Sequence, residues 1–216
     1  MGRPRIHDDN TRERLFRAAE AMVAEGGVES LSVRQLARMA KTTTRAVYSV
    51  FGGREGIVRA LYRESMVIMM QGVAQVPISA DPVEDLVRAG VDAFRAFAQS
   101  RPNLYRLVFE NGHSTAHLTR DDLALATAAR AELRRRVQRC ADAGLLGGRS
   151  ADVVTNQFHA TCQGLASAEL VGWFERVDDP VFAWEDALRS QLRGMAQPSR
   201  ASKPKASSSR KRGPRR

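Results

Sequence analysis

The residues best suited to chemistry in this sequence form a hydroxyl and arginine cluster within the stretch KTTTRAVYSVFGGREG. Thr43 can cap a helix, because its hydroxyl accepts a hydrogen bond from a free backbone N–H of the first turn. Thr44 and Arg45 then project from that turn, where an arginine can form a bidentate contact with guanine. Tyr48 and Arg54 are suited to phosphate contacts, which orient a protein on DNA without reading its sequence. The pattern predicts a helix that begins on DNA.

Two short helices are needed to position these side chains. Ser32 stands three residues before Gln35, which is the spacing of a capping box, and it opens the helical run VRQLARMA. A turn of a few residues then leads to the helix that Thr43 caps. Together, residues of about 32–51 have the outline of a helix-turn-helix, whose second helix lies in the major groove with its N-terminal residues toward the bases.

The rest of the chain also has helical periodicity, and no alternating strand pattern competes with it. Asn10, three residues before Glu13, indicates the start of the first helix. Gly26 and Gly27 are expected to end it. A long fourth helix is predicted over residues 54–75. The predicted class is therefore all-α, with an N-terminal block over 9–69 that contains the helix-turn-helix and is predicted to bind DNA, a second helical domain over 78–197, and a tail over 198–216.

Composition limits the possible settings of the protein. The 216 residues include no apolar run of the roughly 18 residues that a membrane span requires. The first ten residues lack the apolar stretch of a secretory signal. Only Cys140 and Cys162 are present, which favours a reducing compartment and buried, inert thiols. These features predict a cytoplasmic protein without a membrane association.

The formal net charge of +10 is concentrated in the tail. Eight basic residues and no acidic residue lie beyond Gln197, so the preceding chain is close to neutral. The tail is rich in Ser, Pro, Lys and Arg, and it has no side chain able to build a core, which predicts disorder. Its charge favours non-specific attraction to nucleic acid over a purely solubilising role, although both remain open.

The N-terminal block resembles the tetracycline-repressor-like family of bacterial regulators. The resemblance covers residues of about 9–69 and follows a fixed pattern of a small residue, a tyrosine, a phenylalanine and a basic-acidic pair, here Ala46, Tyr48, Phe51, Arg54 and Glu55. It implies that Arg34, Thr44, Arg45, Tyr48, Ser49 and Arg54 touch DNA. Thr43, as the helix cap, and Lys41, as a basic residue in the turn, are predicted to join them. Together with the DNA binding predicted for residues 32–51, the resemblance to bacterial regulators implies a place at the bacterial nucleoid.

The turn of the helix-turn-helix departs from the pattern of that family. The family usually places Gly-Val-Ser there, and this chain has Lys41-Thr42-Thr43. Lys41 is therefore expected to adopt the left-handed backbone that glycine adopts freely, at a cost of about 1 kcal/mol. A basic residue at this position can recover part of that cost by meeting a phosphate.

The second half carries a weaker resemblance to one C-terminal class of the family, which often has a Trp-x-x-x-His-Gly-Leu motif. Gln163 stands where that motif has histidine. The resemblance implies a ligand cavity among the C-terminal helices and a homodimer through the last two, with apolar contacts such as Leu170 and Leu188. The candidate pocket residues are Met66, Met70, Phe94, Phe97, Tyr105, Phe109, His159 and Cys162, although aromatic and methionine residues at helical spacing more often belong to an ordinary core.

Two further patterns have simpler interpretations. His159 and Cys162 have the spacing of two metal ligands, but no third ligand accompanies them, so the sequence favours a packed helix interior without a metal. The run RAELRRRVQR is predicted to be the solvated face of a long helix. No phosphate-binding glycine loop, nucleophile elbow or pair of catalytic carboxylates is present, which argues against an enzyme and against a cofactor.

Three functions remain compatible with the sequence. The favoured one is a dimeric regulator, with repression as the expected sign, that binds a palindromic double-stranded operator and is released by an unidentified small-molecule effector. A helical enzyme or carrier that uses the cavity is an alternative. A protein that coats DNA without sequence preference is the third, and only the basic tail favours it.

Overall fold

The computed structural model describes residues 6–110 and 118–198, with side chains from residue 10 onward. This part of the chain is built from helices and contains no β-strand, so the predicted all-α class is confirmed. None of its helices is both long and apolar enough to cross a bilayer. The predicted basic tail lies outside the described residues beyond Pro198. In chain order the helices are α1 (Ile6–Gly26), α2 (Val33–Met39), α3 (Thr44–Phe51), α4 (Arg54–Gln75), α5 (Pro82–Arg88), α6 (Ala96–Ser100), α7 (Pro102–Phe109), α8 (Arg120–Asp142), α9 (Ala151–Leu170) and α10 (Pro180–Ala196).

The first three helices pack around a shared apolar core. Leu15 and Met22 of α1 lie one heptad apart and therefore face the same side of the helix. They are buried together with Leu36 of α2 and Val47 of α3. Burying a side chain of this size stabilises the fold by about 1.5–3 kcal/mol. This core fixes α3 as the outer element of the N-terminal domain.

The predicted caps of the helix-turn-helix are confirmed. The Ser32 hydroxyl accepts a hydrogen bond from the backbone N–H of Gln35, and the Thr43 hydroxyl accepts one from that of Ala46 at 3.2 Å. Between the two helices, Lys41 has a φ of 50°, which is the left-handed backbone that the sequence predicted there. Gly52, with a φ of 74°, ends α3. Residues close in the sequence therefore set both ends of α3, which is the second helix of the helix-turn-helix and is called the recognition helix below.

The predicted start of the first helix is wrong. The helix already begins at Ile6, so Asn10 lies inside it and does not cap it. An N-cap residue needs an extended backbone, and the backbone around Asn10 is helical. The predicted end is confirmed, because α1 ends at Gly26 and Gly27 has a φ of 68°.

Helix α4 connects the N-terminal domain to the rest of the molecule, and its predicted extent, residues 54–75, is confirmed. It packs against α1 and α3 on one side and against α7 and α8 on the other. At Gly56 a Cβ atom would lie only 1.5 Å from the Phe51 carbonyl oxygen, so the start of α4 touches the last turn of α3 directly. The end of α3 and the start of α4 are therefore in direct contact, with only Gly52 and Gly53 between them in the chain.

The arginine run of α8 is a solvated face only in part: Arg130 and Arg135 are exposed, but the prediction is wrong for Arg136 and Arg139. Arg136 is only 4% exposed and donates hydrogen bonds to the carbonyl oxygens of Val73 and Val76. Arg139 forms an ion pair with the buried Asp85. The last carbonyl groups of a helix have no partner within the helix, so the guanidinium of Arg136 satisfies the end of α4. These arginines fasten α8 to α4 and to the start of α5.

The predicted helix after Pro82 contains a wide turn. α5 ends at Arg88, a π-helical segment follows over Ala89–Arg95, and α6 continues the same direction. Gly90 lies in this segment, where an added Cβ would be 2.5 Å from Leu188 Cδ1. The absence of a side chain at Gly90 lets α10 approach closely, and the π turn places Phe94 on the inner side of the bundle.

Candidate nucleic-acid interface and effector cavity

Helix α3 has an apolar inner face and a polar outer face. Val47 and Phe51 are buried on the inner face, one turn apart. The first turn contains no acidic residue, so its free N–H groups present a site favourable to phosphate. Of the eight predicted DNA-contacting residues, seven are exposed, namely Arg34, Lys41, Thr43, Thr44, Arg45, Tyr48 and Ser49.

Four of these residues share one surface of α3. Thr44 and Tyr48 are four residues apart, as are Arg45 and Ser49, so each pair lies on one side of the helix. Tyr48 is 58% exposed although it is a large aromatic residue. An exposed tyrosine beside an arginine and two hydroxyls offers both base-edge and phosphate contacts.

Arg54 has a different environment from the other candidates. Its guanidinium donates hydrogen bonds to the Val28 carbonyl oxygen at 2.9 Å and to the Glu29 carboxylate at 3.0 Å. The side chain is therefore tied to the turn after α1. The sequence showed a basic residue at the right spacing for phosphate but held no signal for these partners, which lie about 25 residues earlier.

A cavity of about 210 Å³ lies between α4, α8, α9 and the π-helical segment. Its wall is mostly apolar, and its polar atoms come from few side chains. The lining residues are Met66, Met69, Val73, Ala89, Phe94, Phe109, Ala126, Ala129, Arg130, Leu133, Thr155, Phe158, His159 and Cys162. The composition is that of a small-molecule site, in which a few polar groups orient an otherwise apolar ligand.

The structure places five of the predicted pocket residues on the wall of the cavity, namely Met66, Phe94, Phe109, His159 and Cys162. Met70, Phe97 and Tyr105 are not among the lining residues, and Phe97 and Tyr105 are buried in the surrounding core. The contribution of α8 went unrecognised in the sequence. Its signal is the helical spacing of Ala126, Ala129 and Leu133, which places small residues on one face.

His159 belongs to an aromatic cluster at one end of the cavity. Its ring centroid lies 5.3 Å from that of Phe94 and 5.5 Å from that of Phe109, in edge and tilted arrangements. Burial lowers the pKa of the imidazole, and the nearby charge of Arg130 lowers it further. The imidazole is therefore held in its neutral form at physiological pH.

Tyr105 and Gln163 fix the layer behind this cluster. The Tyr105 hydroxyl donates to the Gln163 carbonyl oxygen at 2.9 Å and lies 3.0 Å from the Ser167 hydroxyl. The Gln163 side chain in turn donates to the Phe109 carbonyl oxygen at 3.0 Å. Gln163, which occupies the place of the expected histidine, thus supports the end of α7 and with it the position of Phe109.

Both thiols are buried and lack the surroundings of a reactive cysteine. Burial raises the pKa of the Cys162 thiol strongly, and it raises that of Cys140 to about 11. A thiol with a raised pKa is a poor nucleophile and a poor metal ligand. Across the two described stretches, no group of three His, Cys, Asp or Glu side chains is arranged to hold a metal ion.

A second, polar cleft of about 640 Å³ separates α1 from the start of α8, with α4 as its floor. On its wall the Arg63 guanidinium of α4 forms a 3.0 Å ion pair with Asp122, which is buried in the first turn of α8. Asp122 also accepts hydrogen bonds from the backbone N–H and the hydroxyl of Thr119, its partner in a capping box. The start of α8, two turns before Arg130, is therefore attached to α4.

Two family descriptions match this chain. The family described as bacterial regulatory proteins, tetR family, matches residues 15–61. The tetracyclin repressor-like C-terminal domain matches residues 87–192. The first match contains α2 and α3 with their caps, and the second spans most of the helices that surround the cavity.

One curated relative is the HTH-type transcriptional activator FasR of Mycolicibacterium smegmatis. It is 25% identical over 125 residues, which cover 58% of this chain and 57% of that protein. The match thus spans little more than half the length of either protein.

Solved structures share the fold over most of the chain. A protein of unknown function from Rhodococcus sp. RHA1 superposes with a TM-score of 0.75 and 23% identity, covering 87% of this chain and 96% of the other. FadR from Bacillus subtilis, solved in complex with stearoyl-CoA, gives a TM-score of 0.70 and 17% identity over 84% and 98% of the two chains. With a helix-turn-helix and a helical C-terminal domain each matched by its own description, the chain belongs to the tetR family of DNA-binding transcriptional regulators.

Proposed function

We propose that this regulator binds a palindromic operator as a homodimer and that a small molecule in the cavity releases it from DNA. The observation that carries the proposal is the course of α4. It begins against the last turn of α3 at Gly56 and lines the cavity with Met66 and Met69. A single rigid helix thus connects the recognition helix with the proposed effector site.

On DNA, α3 enters the major groove with its first turn toward the bases. Arg45 reads a guanine through two hydrogen bonds, while Tyr48 and Lys41 contact phosphates. Their exposure and their place around a helix N-terminus without acidic neighbours support these roles. Arg54 stabilises the domain through Val28 and Glu29, and contacts a phosphate only with the part of its guanidinium that those partners leave free.

The homodimer is formed through the end of α9 and the start of α10. Large apolar side chains are exposed directly after α9 and at the start of α10, with Val171 at 64%, Trp173 at 78% and Phe182 at 63%. Several exposed apolar residues on adjacent elements form the kind of patch that marks an interaction surface. Leu188, which the sequence suggested for this interface, is fully buried within its own subunit beside Gly90 and is not available for it.

Release follows from a change in the spacing of the two recognition helices. A symmetric operator presents its half-sites about 34–36 Å apart, so a shift of α4 in each subunit removes one helix from its groove. The ligand alters the equilibrium only by the difference between its affinities for the two states, typically about 1–3 kcal/mol or 5–150-fold. Repression is the proposed sign, whereas the relative from M. smegmatis is named an activator.

A footprint on the DNA that flanks the gene of this regulator tests the proposal. Protection of one discrete palindrome, lost when the effector is added, supports a ligand-released dimer. Continuous protection would instead identify a DNA-coating protein, and no protection at all would favour the enzyme or carrier. A reporter fused to the protected promoter gives the sign, because deletion of the regulator raises expression only if it represses.

A further inference from the structure

The polar groups of the cavity differ in whether they already have a partner. The Thr155 hydroxyl donates to the Ala151 carbonyl oxygen at 2.7 Å, and the Cys162 thiol is protonated because burial raises its pKa. By contrast, no group in the described parts of the chain forms a hydrogen bond with the His159 imidazole, whose contacts there are with aromatic rings. The neutral ring keeps one N–H donor for a ligand.

Arg130 supplies the positive charge at the same end of the cavity. Its guanidinium donates to the Asn156 side-chain oxygen, and Asn156 precedes His159 by about one turn of α9. None of the cavity-lining residues is acidic. Asp152 is close enough for the charge of Arg130 to lower its pKa, but its direct ion pair is with Arg134. An arginine beside an apolar cavity, held by a neutral amide and without a direct ion pair among the described residues, is a site for an anion.

The volume of the cavity limits the size of the ligand. A cavity of about 150 Å³ holds one benzene molecule, so 210 Å³ holds a ring with a short substituent, or roughly ten non-hydrogen atoms. The stearoyl-CoA of the B. subtilis protein is far larger than this space. Met66 and Met69 provide adaptable apolar contacts, and Phe94 and Phe109 provide ring faces and edges.

We infer that the effector is a compact apolar acid, whose single carboxylate binds Arg130 and the His159 N–H while its ring or short hydrocarbon body lies against Phe94, Phe109 and Met66. This inference rests on the proposed function, because it names the ligand class of the same cavity. The carboxylate lies beside Arg130 at the exposed end, and the hydrocarbon body enters the apolar part of the cavity. An uncharged analogue of the same shape keeps the apolar contacts of the hydrocarbon body and loses the charge contact with Arg130.

Phenylacetate and phenylacetamide test the charge requirement, since they have the same size and differ in charge. Calorimetric titration of the full-length, DNA-free protein is expected to show binding of the acid about tenfold or more tighter than of the amide. Hexadecanoate serves as the size control and is expected to bind more weakly than phenylacetate. Equal affinity for acid and amide, undetectable binding of phenylacetate, or tighter binding of hexadecanoate would each overturn the inference.

Two variants locate the site. Arg130→Gln is expected to remove the preference for the acid, whereas Arg134→Gln, one turn along α8 and paired with the exposed Asp152, is expected to keep it. An unchanged preference in Arg130→Gln would place the carboxylate elsewhere and contradict the inference. Because Arg130 is exposed, both variants should fold, which circular dichroism checks. These titrations contain no DNA, so a negative result would contradict the ligand class alone. A negative footprint would instead contradict the proposed binding to an operator.

Discussion

At the scale of single residues, Arg45 in the first turn of α3 and Arg54 at the start of α4 lie in different surroundings. Arg45 is exposed in the first turn of α3, whereas Arg54 is held by the Val28 carbonyl and the Glu29 carboxylate. Residue type and spacing suggested DNA contact for both. Only the three-dimensional arrangement shows that the Arg54 guanidinium already has intramolecular partners, because those partners come from another helix–turn junction.

The first prediction separates these two arginines. Arg45→Ala should leave thermal stability unchanged and remove the preference at one base pair, at a cost of about 1–3 kcal/mol on the cognate site. Arg54→Ala should lower the free energy of unfolding by about 1 kcal/mol and reduce the affinity for all DNA sequences to the same extent. Thermal melts and binding to single-base variants of the operator measure both effects. If Arg45→Ala kept the base preference of the wild type, Arg45 would not be the residue that contacts the base.

A second prediction concerns Asp122. Burial alone would raise the pKa of this carboxyl, but hydrogen bonds from Thr119 and the charge of Arg63 bring the pKa below its usual value. Because the folded pKa is below the unfolded one, the stabilisation is complete above about pH 4 and is lost as the pH falls through the folded pKa. We expect Asp122→Asn to unfold about 2 kcal/mol more easily at pH 7 and to lose less stability on acidification.

Urea unfolding at pH 7 and pH 3 measures this difference. Asp121→Asn is the matched control, since Asp121 is the exposed neighbour in the same first turn of α8. The control should follow the wild type at both pH values. If Asp122→Asn showed the same loss of stability on acidification as the wild type, the ion pair with Arg63 would not contribute to the acid sensitivity.

At the scale of elements, helix ends were predictable where a local signal sets them. The hydroxyls of Ser32 and Thr43 start α2 and α3, and Gly26 ends α1, all as the sequence indicated. The π-helical segment and the burial of Arg136 were not predictable, because each depends on a partner far along the chain. Gly90 meets α10, and Arg136 meets the end of α4.

The candidate sites were likewise predictable only where a local pattern defines them. The exposed face of α3 could be inferred from the sequence, because the apolar Val47 and Phe51 lie one turn apart and mark the inner face. The cavity was inferred only in outline. Aromatic residues predict burial equally well in a core and in a pocket wall, so Phe97 and Phe94 could not be distinguished before their packing was known.

The third prediction tests the close packing at Gly90. A methyl group there would lie 2.5 Å from Leu188 Cδ1 and 3.3 Å from Cys162 Sγ, so Gly90→Ala should destabilise the protein by about 1–3 kcal/mol through overpacking. Gly194→Ala is the control, because a Cβ at Gly194 meets nothing within 4 Å and alanine favours a helix by up to about 1 kcal/mol. Chemical denaturation measures the free energy of unfolding of both variants and of the wild type. If Gly90→Ala were as stable as Gly194→Ala, α10 would not pack tightly against Gly90.

At the scale of the whole molecule, the proposed function depends on two copies of α3 held at a fixed distance. The recognition helices are at one end of α4 and the exposed apolar patch of α9 and α10 belongs to the other domain. A dimer contact through that patch would set the distance between the helices of the two subunits. Neither the contact nor the distance follows from the sequence of one chain, since both depend on a surface that one subunit leaves uncovered.

The fourth prediction concerns this contact. Phe182→Glu should produce a monomer and reduce operator affinity at least tenfold, because a charge in an apolar interface is costly and one recognition helix alone makes half of the contacts. Leu123→Glu, another exposed apolar residue on a different helix, should remain dimeric and bind normally. Sedimentation equilibrium and DNA binding are measured on the same samples. A monomeric Phe182→Glu with full operator affinity would refute the dimer mechanism.

Selection of binding sites from a random pool of double-stranded DNA tests the central claim most directly, because it assumes no operator and no effector. The claim is that α3 reads bases as one of a symmetric pair. We expect the full-length protein to enrich an inverted repeat whose half-sites are centred about one helical turn or a multiple of it apart, with a guanine at a fixed place in each half. Enrichment of a single unrepeated element, or recovery of DNA without any common sequence, would contradict it.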